Sequence, residues 1–421
     1  MTFDRRDFLK TSMGAAVGAG VTASGCAAQP SPTTGAMDGL TSMTEGVVPI
    51  TDEERLRRIE KAQRLMAAGG MDAVFLDVGT SLDYFTGVQM WPSERMFAAV
   101  LPVEGEPVYI VPKFEEEETL DKIRIGSSIR SWEEHESPSR VAADLFADLG
   151  IRSGRIGMEE RVRFFLFDGI RAEAPHLEYV SADDVTVECR LIKSNTEIAL
   201  MQRASDITIE VYRTVIPMLE PGMTSDEFTE LTRQAHTACG VSGSIWAQIG
   251  AASSRPHGRS TRPIKEGDVV LMDGGCRVGG YKSDISRTVV VGEPTARQRE
   301  AWRLAAGAQA AAWEAIALGV PCETVDAAAR AYYVAEGYGP GYQLPGCPHR
   351  TGHGIGMDGH EGIHLVKGNT RPLETGMCFS NEPMLVLPGE FGVRLEECFY
   401  MAEDGPHYFS QPSPSIEQPC A

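Results

Sequence analysis

The stretch Leu271–Thr288, LMDGGCRVGGYKSDISRT, holds two aspartates, Asp273 and Asp284, eleven positions apart with four glycines between them. Asp273 closes the apolar run DVVLM, and Asp284 lies early in YKSDISRTVVV. Both runs are rich in β-branched and apolar residues, so each predicts a strand. A bend over Cys276–Gly280 would fold them antiparallel, and both carboxylates could then point to one side. Two acids at this spacing suit a solvated hairpin or half of a metal site, and this stretch alone does not choose.

More donors follow in three other clusters. His257 stands in PHG, sixteen positions before Asp273. His349, His353, His360 and His364 crowd into PHRTGHGIGMDGHEGIH (348–364), where Gly352, Gly354 and Gly356 allow close backbone approach. Glu382 and Glu396 lie in FSNEPMLVLPGEFGVRLEE (379–397), two strand-like runs joined around Pro388-Gly389. Glu382 adjoins Pro383, where a strand ladder is already interrupted. Met377, Phe379, Met384, Leu385 and Val386 make its neighbourhood apolar, and a buried carboxylate without a partner is costly. For His364 a structural role outweighs a place in the site.

Outward from these clusters the chain reads as two domains. Residues 50–187 alternate helix and strand: helix 51–68, strand 71–79, hairpin 97–112, helix 137–150 and strand 154–160, a small α/β domain. The second domain, 188–405, opens with a long helix over 188–219 whose Ser194 and Glu197 fit a capping box. Helices over 224–240, 296–319 and 323–337 follow. With strands at 268–273, 281–292, 376–387 and 392–402, this is an α+β domain, helices covering a curved, mostly antiparallel sheet. Residues 406–421 read as a C-terminal tail.

The segment 188–402 resembles the catalytic domain of the pita-bread metallopeptidases, creatinase/aminopeptidase P-like, and within them the proline-specific branch of Xaa-Pro aminopeptidases and Xaa-Pro dipeptidases (prolidases). LDYFTGV (82–88) is similar to the creatinase-type N-terminal domain. The resemblance implies five metal ligands: Asp273, Asp284, His353, Glu382 and Glu396. It implies that Asp284 and Glu396 bridge two divalent ions, that Asp273 chelates one, and that His353 and Glu382 complete the other. Four carboxylates balance two divalent cations, and oxygen donors with one imidazole suit Mn, Fe(II), Co or Zn without selecting strongly among them; Mn is the ion expected first, with Co, Zn or Fe as alternatives. The implied reaction is hydrolysis of short proline-containing peptides by a metal-bridging hydroxide, with Glu382 as proton shuttle. His257 would meet the carbonyl or developing oxyanion. His360 would hold substrate or donate to the leaving nitrogen, and His349 would line the site. Arg394 would orient a carboxylate of ligand or substrate. A homodimer follows by analogy with the family.

Three stretches depart from the family pattern. His360-Glu361-Gly362-Ile363 replaces His-Glu-x-Pro, Glu382-Pro383-Met384 replaces Glu-Pro-Gly, and Arg394-Leu395-Glu396-Glu397 replaces Arg-Ile-Glu-Asp. All are expected near the substrate, which weakens the proline specificity more than the hydrolase reading. A creatinase-like C–N hydrolase need not keep five ligands. A dimethylsulfoniopropionate-type lyase carries an extra acid where Gly275 stands, and a non-catalytic relative is expected to lose ligands.

The N-terminus carries Arg5-Arg6 ahead of a weakly apolar, Gly/Ala-rich stretch, which resembles a twin-arginine export signal (1–26) read by the twin-arginine machinery. Ala23-Ser24-Gly25-Cys26 resembles a lipoprotein cleavage site, with Cys26 as the lipid-bearing residue. Residues 27–49 are small and polar and read as a flexible tether. These features predict a periplasmic protein or one lipid-anchored at the cell envelope. A formal charge of −20 argues against nucleic-acid binding. The nine cysteines contain no CxxC pair, which argues against a thiolate zinc site.

Overall fold

In the computed structural model, which describes Met37, residues 39–255 and residues 257–420, the N-terminal half is built on six strands. They are β1 (Ala73–Asp77), β2 (Ala98–Pro102), β3 (Val108–Pro112), β4 (Ser128–Trp132), β5 (Arg155–Met158) and β6 (Glu178–Ser181). Their order is β4-β3-β2-β1-β5-β6. Every residue of β1 and β2 is buried, because helices cover both faces and leave no solvent side to alternate with. Phe75, Val100, Ile110, Phe146, Ile156 and Ile170 form its core. Arg5, Arg6 and Cys26, and with them the export and lipidation readings, lie outside the described residues.

The C-terminal half joins two antiparallel sheets. In the first, β7 (Ser242–Ile249), β8 (Val269–Val278) and β10 (Ile285–Val290) run in the order β10-β8-β7, and the short β9 (Tyr281–Lys282) pairs with β8. The second holds β11 (Gly352–Gly354), β12 (Glu361–Leu365), β13 (Cys378–Asn381), β16 (Glu397–Ala402) and β17 (Gly405–Tyr408), in the order β12-β11-β13-β16-β17. A separate ribbon pairs β14 (Leu385–Leu387) with β15 (Phe391–Val393). A bridge between Ser286 and Glu396 links the first sheet to the second. The helices Asn195–Val215, Ser225–Ala238, Ala296–Glu314 and Cys322–Ala335 cover these sheets. The first three begin at full capping boxes, Ser194/Glu197, Thr224/Glu227 and Thr295/Gln298, which satisfy amide groups otherwise orphaned at a helix start.

Several boundaries differ from the sequence expectation, and the differences cluster at the acids. β8 does not end at Asp273 but runs on to Val278, so Cys276 is a strand residue and not part of a bend. The turn is Gly279-Gly280, whose φ values of 56° and 92° favour glycine at both positions. The expected strand 281–292 breaks at Ser283-Asp284, 376–387 breaks at Glu382–Met384, and 392–402 breaks at Arg394–Glu396. The expected long helix 188–219 is two, Asp183–Leu191 and Asn195–Val215, since Ser194 caps the second. Residue 188 therefore falls inside a helix.

The segments read as a flexible tether and a C-terminal tail both make contacts with the fold. Met43 N donates to Cys239 O at 3.0 Å, and Arg203 donates to the Met43 carbonyl, which lays the end of the 27–49 segment on the catalytic half. β17 (Gly405–Tyr408) runs into the 406–421 segment, where Phe409 and Ile416 are buried. The eight described cysteines are all free. Among the described residues no helix is long and apolar enough to cross a membrane.

Candidate metal centre

The strand breaks expose the reason for the cluster. A residue in a ladder points to one face of its sheet, but a residue in a break can turn toward a neighbouring sheet. Asp284, Glu382 and Glu396 stand in three breaks, Asp273 on β8 and His353 on β11. Their side chains converge from both sheets. Asp273, Asp284 and Glu396 form one group whose donor atoms all lie within 4.8 Å of one another, and His353, Glu382 and Glu396 form a second. Glu396 belongs to both. His353 Nε2 lies 3.3 Å from Glu382 Oε1 and 3.9 Å from both Asp284 Oδ2 and Glu396 Oε1. His360 adds to a third group with Asp284 and His353.

Local bonds hold the broken segments in place. Ser286 pairs opposite Asp273, so the two side chains share a face. Its Oγ lies 2.6 Å from Glu396 Oε2 and 3.0 Å from Asp273 Oδ1, with one proton to share, and it accepts from Arg394 Nε at 2.9 Å. Cys398 Sγ donates to the Asp284 carbonyl at 3.1 Å. Ser380 Oγ accepts from His353 N at 2.9 Å and lies 3.3 Å from Glu382 Oε1. The sequence reading missed Ser286: a bend over 276–280 would set Ser283 opposite Asp273, so the hairpin pattern gave no usable signal for it. Ser380 and Arg350 carried none.

Packing four carboxylates together leaves charge without enough counter-charge. Burial, then Asp273 and Glu382, push the Asp284 carboxyl well above the carboxylate range. Burial, then Asp284 and Glu382, do the same to Glu396. Burial also works to raise Glu382, but His353 and Arg394 outweigh it and hold it below its ordinary value. Glu396 Oε1 is buried with no hydrogen-bond partner. A bare buried carboxylate oxygen between two donor groups fits a bridging cation, since only a positive partner offsets its lost hydration. Oxygen donors with one imidazole suit borderline divalent ions such as Mn, Fe, Co or Zn.

Arg394 does not reach outward for a substrate. Its Nη2 pairs with Asp273 Oδ2 at 2.5 Å, Nη1 lies 3.5 Å from Glu382 Oε2 and Nε 3.8 Å from Glu396 Oε2. Of the two roles expected for it, orienting ligand carboxylates is the one its contacts fill.

The histidines divide. His360 lies over His353, ring centroids 3.9 Å apart. Arg350 Nη2 donates to His360 Nδ1 at 3.2 Å, which leaves the proton on Nε2. Burial and then His353 lower its pKa to about 4, so it is neutral and a donor at pH 7. His349 Nδ1 lies 2.7 Å from the Arg350 carbonyl, which makes Nδ1 the donor and leaves Nε2 a buried acceptor with no partner. His257 has the left-handed φ of 54° and its ring meets Trp246 edge-on at 6.3 Å. Trp246 pairs opposite Asp273, and His257 and Trp246 line a cavity whose wall includes none of the five ligands. His364 sits opposite His353 in the β11–β12 ladder and, among the described residues, joins none of the candidate ligand groups.

Of the residues that depart from the family pattern, Met384 and Glu397 are buried inside the fold and Ile363 is half-buried. Ile363, in place of the proline, packs against the core cluster of Leu365, Leu373 and Phe379, next to the retained Glu361, which is buried with Arg190 Nη2 2.6 Å and Lys193 Nζ 3.0 Å from its oxygens. Met384 packs in a core cluster with Leu271 and Val386. Glu397 is fully buried, 2.7 Å from the equally buried Arg287. Each answers a packing or charge requirement inside the fold.

Residues 199–403 match the model of metallopeptidase family M24, and residues 58–192 match that of the creatinase/prolidase N-terminal domain. A probable dipeptidase, PepE, of Mycobacterium tuberculosis is 31% identical over 83% of this chain and 92% of its own length. An Xaa-Pro dipeptidase of Lactobacillus delbrueckii subsp. lactis is 29% identical over 85% of this chain and 98% of its own. Among solved structures, a recombinant prolidase from Thermococcus sibiricus superposes with a TM-score of 0.79 at 29% identity, covering 85% of this chain and 97% of its own.

Proposed function

Because the chain belongs to metallopeptidase family M24, with a creatinase/prolidase N-terminal domain, we propose that it hydrolyses the Xaa-Pro bond of dipeptides at a two-metal centre. The observation that carries this is the division of five ligand residues into two groups sharing Glu396. Relatives named as dipeptidase, Xaa-Pro dipeptidase and prolidase support the dipeptide over longer peptides.

Asp273, Asp284 and Glu396 would hold one ion, and His353, Glu382 and Glu396 the other. Of the two bridging residues implied by the family resemblance, Glu396 is the one found in both groups, and Asp284 stands within 3.9 Å of His353. When bound, such a pair supplies Lewis acidity and makes a shared water acidic enough to act as hydroxide near neutral pH. Glu382, kept ionised by His353 and Arg394, accepts the proton of the attacking water. His360 Nε2–H donates to the substrate amide or its leaving nitrogen. His349 Nε2 offers a fixed acceptor, and His257, whose ring meets Trp246, would meet the carbonyl side of the substrate. Arg394 and Ser286 hold the ligand carboxylates in register.

The test is turnover of Xaa-Pro dipeptides and Xaa-Pro-Xaa tripeptides by manganese-loaded protein, against Asp284→Ala. Cleavage of dipeptides alone supports the proposal, and cleavage of neither sinks it.

Manganese as the resident ion, a homodimer, twin-arginine export and a lipid on Cys26 complete the proposal. Export rests on Arg5-Arg6 and the weakly apolar stretch after them. Arg5→Lys/Arg6→Lys should leave precursor in the cytoplasm, and unchanged export would remove that reading.

A further inference from the structure

A cavity of ≈ 540 Å³ opens beside Asp284 and extends along the β8–β9 hairpin. Arg233, Arg277 and Lys282 line it together with Asp284 and Gly359. Arg277 lies four positions beyond Asp273 on β8, so both side chains share one face. Lys282 pairs directly opposite Arg277. Two like charges facing each other across a hairpin repel. Among the described residues neither side chain forms a hydrogen bond or ion pair; Asp83 feels Arg277 only at longer range, and Asp284 feels Lys282. Arg233 is already ion-paired with Glu230. In a chain with a formal charge of −20, two unpaired cations in a concave site next to a metal ligand focus a local positive field.

We propose that this cavity is a substrate subsite for a carboxylate, held by Arg277 and Lys282. The group is either the side chain of an acidic Xaa residue or the chain terminus of the dipeptide. The inference rests on the Xaa-Pro peptidase reading above. It adds that the substrate is selected by negative charge at a fixed distance from the metals. Arg277 supplies a planar two-pronged donor and Lys282 a point charge, the pairing that suits a carboxylate.

The experiment measures kcat/KM of the metal-loaded full chain on two pairs, Asp-Pro against Asn-Pro and Ala-Pro against Ala-Pro-amide. One charged member should exceed its neutral partner by about tenfold, the scale of one hydrogen bond to a charged group. In Arg277→Gln/Lys282→Gln that ratio should fall to near unity. Each ratio is taken within one protein, so a general loss of activity cancels. Discrimination within the first pair assigns the side chain, and within the second the terminus. Calorimetric binding of the same peptides to metal-free protein supplies a readout without turnover and should show the same ratio. Should the double variant not fold, raising the salt on the unaltered protein should shrink the ratio, because exposed charges are screened. No discrimination in either pair, or a ratio that survives the double substitution or high salt, overturns the subsite. Cleavage of Ala-Pro without discrimination removes only the subsite, whereas no cleavage of any peptide removes the peptidase reading as well.

Discussion

Glu396 is the residue on which the site turns. It is buried, bonded on one oxygen by Ser286 and bare on the other, and it belongs to both donor groups. Glu396→Ala should therefore abolish binding of both ions, whereas Asp273→Ala should spare the His353–Glu382 side; metal analysis after dialysis distinguishes the two. Ser286→Ala removes the hydroxyl that aligns Glu396 and Asp273. An outer partner of this kind is worth about 10- to 100-fold in metal affinity or activity, readable from a metal titration with the fold intact by circular dichroism. The Arg350 side chain donates to His360 Nδ1 and so fixes its tautomer. Arg350→Ala should lower kcat on Xaa-Pro dipeptides without reducing metal content.

At the scale of elements, the ligands depend on strands that approach unusually closely. A Cβ on Gly352 would collide with the Ser380 carbonyl across β11 and β13, the strands that lead to His353 and Glu382. Backbone cannot yield as a flexible side chain can, so Gly352→Ala should separate the two strands. The expected result is loss of metal binding together with a lowered unfolding midpoint. Helix Asn195–Val215 lies behind the hairpin, and its Tyr212 Oη donates to Ile285 O at 2.7 Å. Its start rests on Ser194, whose Oγ accepts from Glu197 N at 3.2 Å and donates to Glu54 Oε1 at 2.6 Å. Ser194→Ala should cost about 1–2 kcal/mol, the upper part of the range for a cap, measured by denaturant unfolding.

Over the whole molecule, buried ion pairs tie the N-terminal half to the catalytic half. Arg58 contacts Glu54, Glu197 and Tyr281, and Tyr281 stands three residues before Asp284. Arg190 joins Asp358 and Glu361, while Thr80 donates to Asp358, so the loop carrying His360 is fastened from the N-terminal side. Burial acts to raise the Glu361 carboxyl, but Lys193 and Arg190 outweigh it and hold it down at about 2, against an ordinary 4.5. A depressed carboxyl contributes stability that is fully present above its unfolded value and is lost as pH falls through its folded value. The window is thus from pH 4.5 down to about 2, and the amount about 3 kcal/mol. Glu361→Gln should be less stable at neutral pH, because Lys193 loses its carboxylate partner and Arg190 one of its own. Its stability should then fall less than that of the unaltered chain over that acid range, as thermal unfolding at each pH would record.

The residues themselves determined much of this protein. Apolar runs with their caps located most of the helices and strands, and acids or histidines set beside apolar neighbours marked the site, because both signals are local. The ligand partition, the inward turn of Arg394 and the burial of Glu361, Met384 and Glu397 were decided only by tertiary structure. Each depends on where a strand breaks and which sheet lies opposite, and those are settled by contacts between residues about a hundred or more positions apart, such as Ser286 with Glu396. Likewise Asp273 and Asp284 are two acids on a hairpin until Glu396 arrives from the second sheet, and it is the charge they then share that makes a cation the fitting partner.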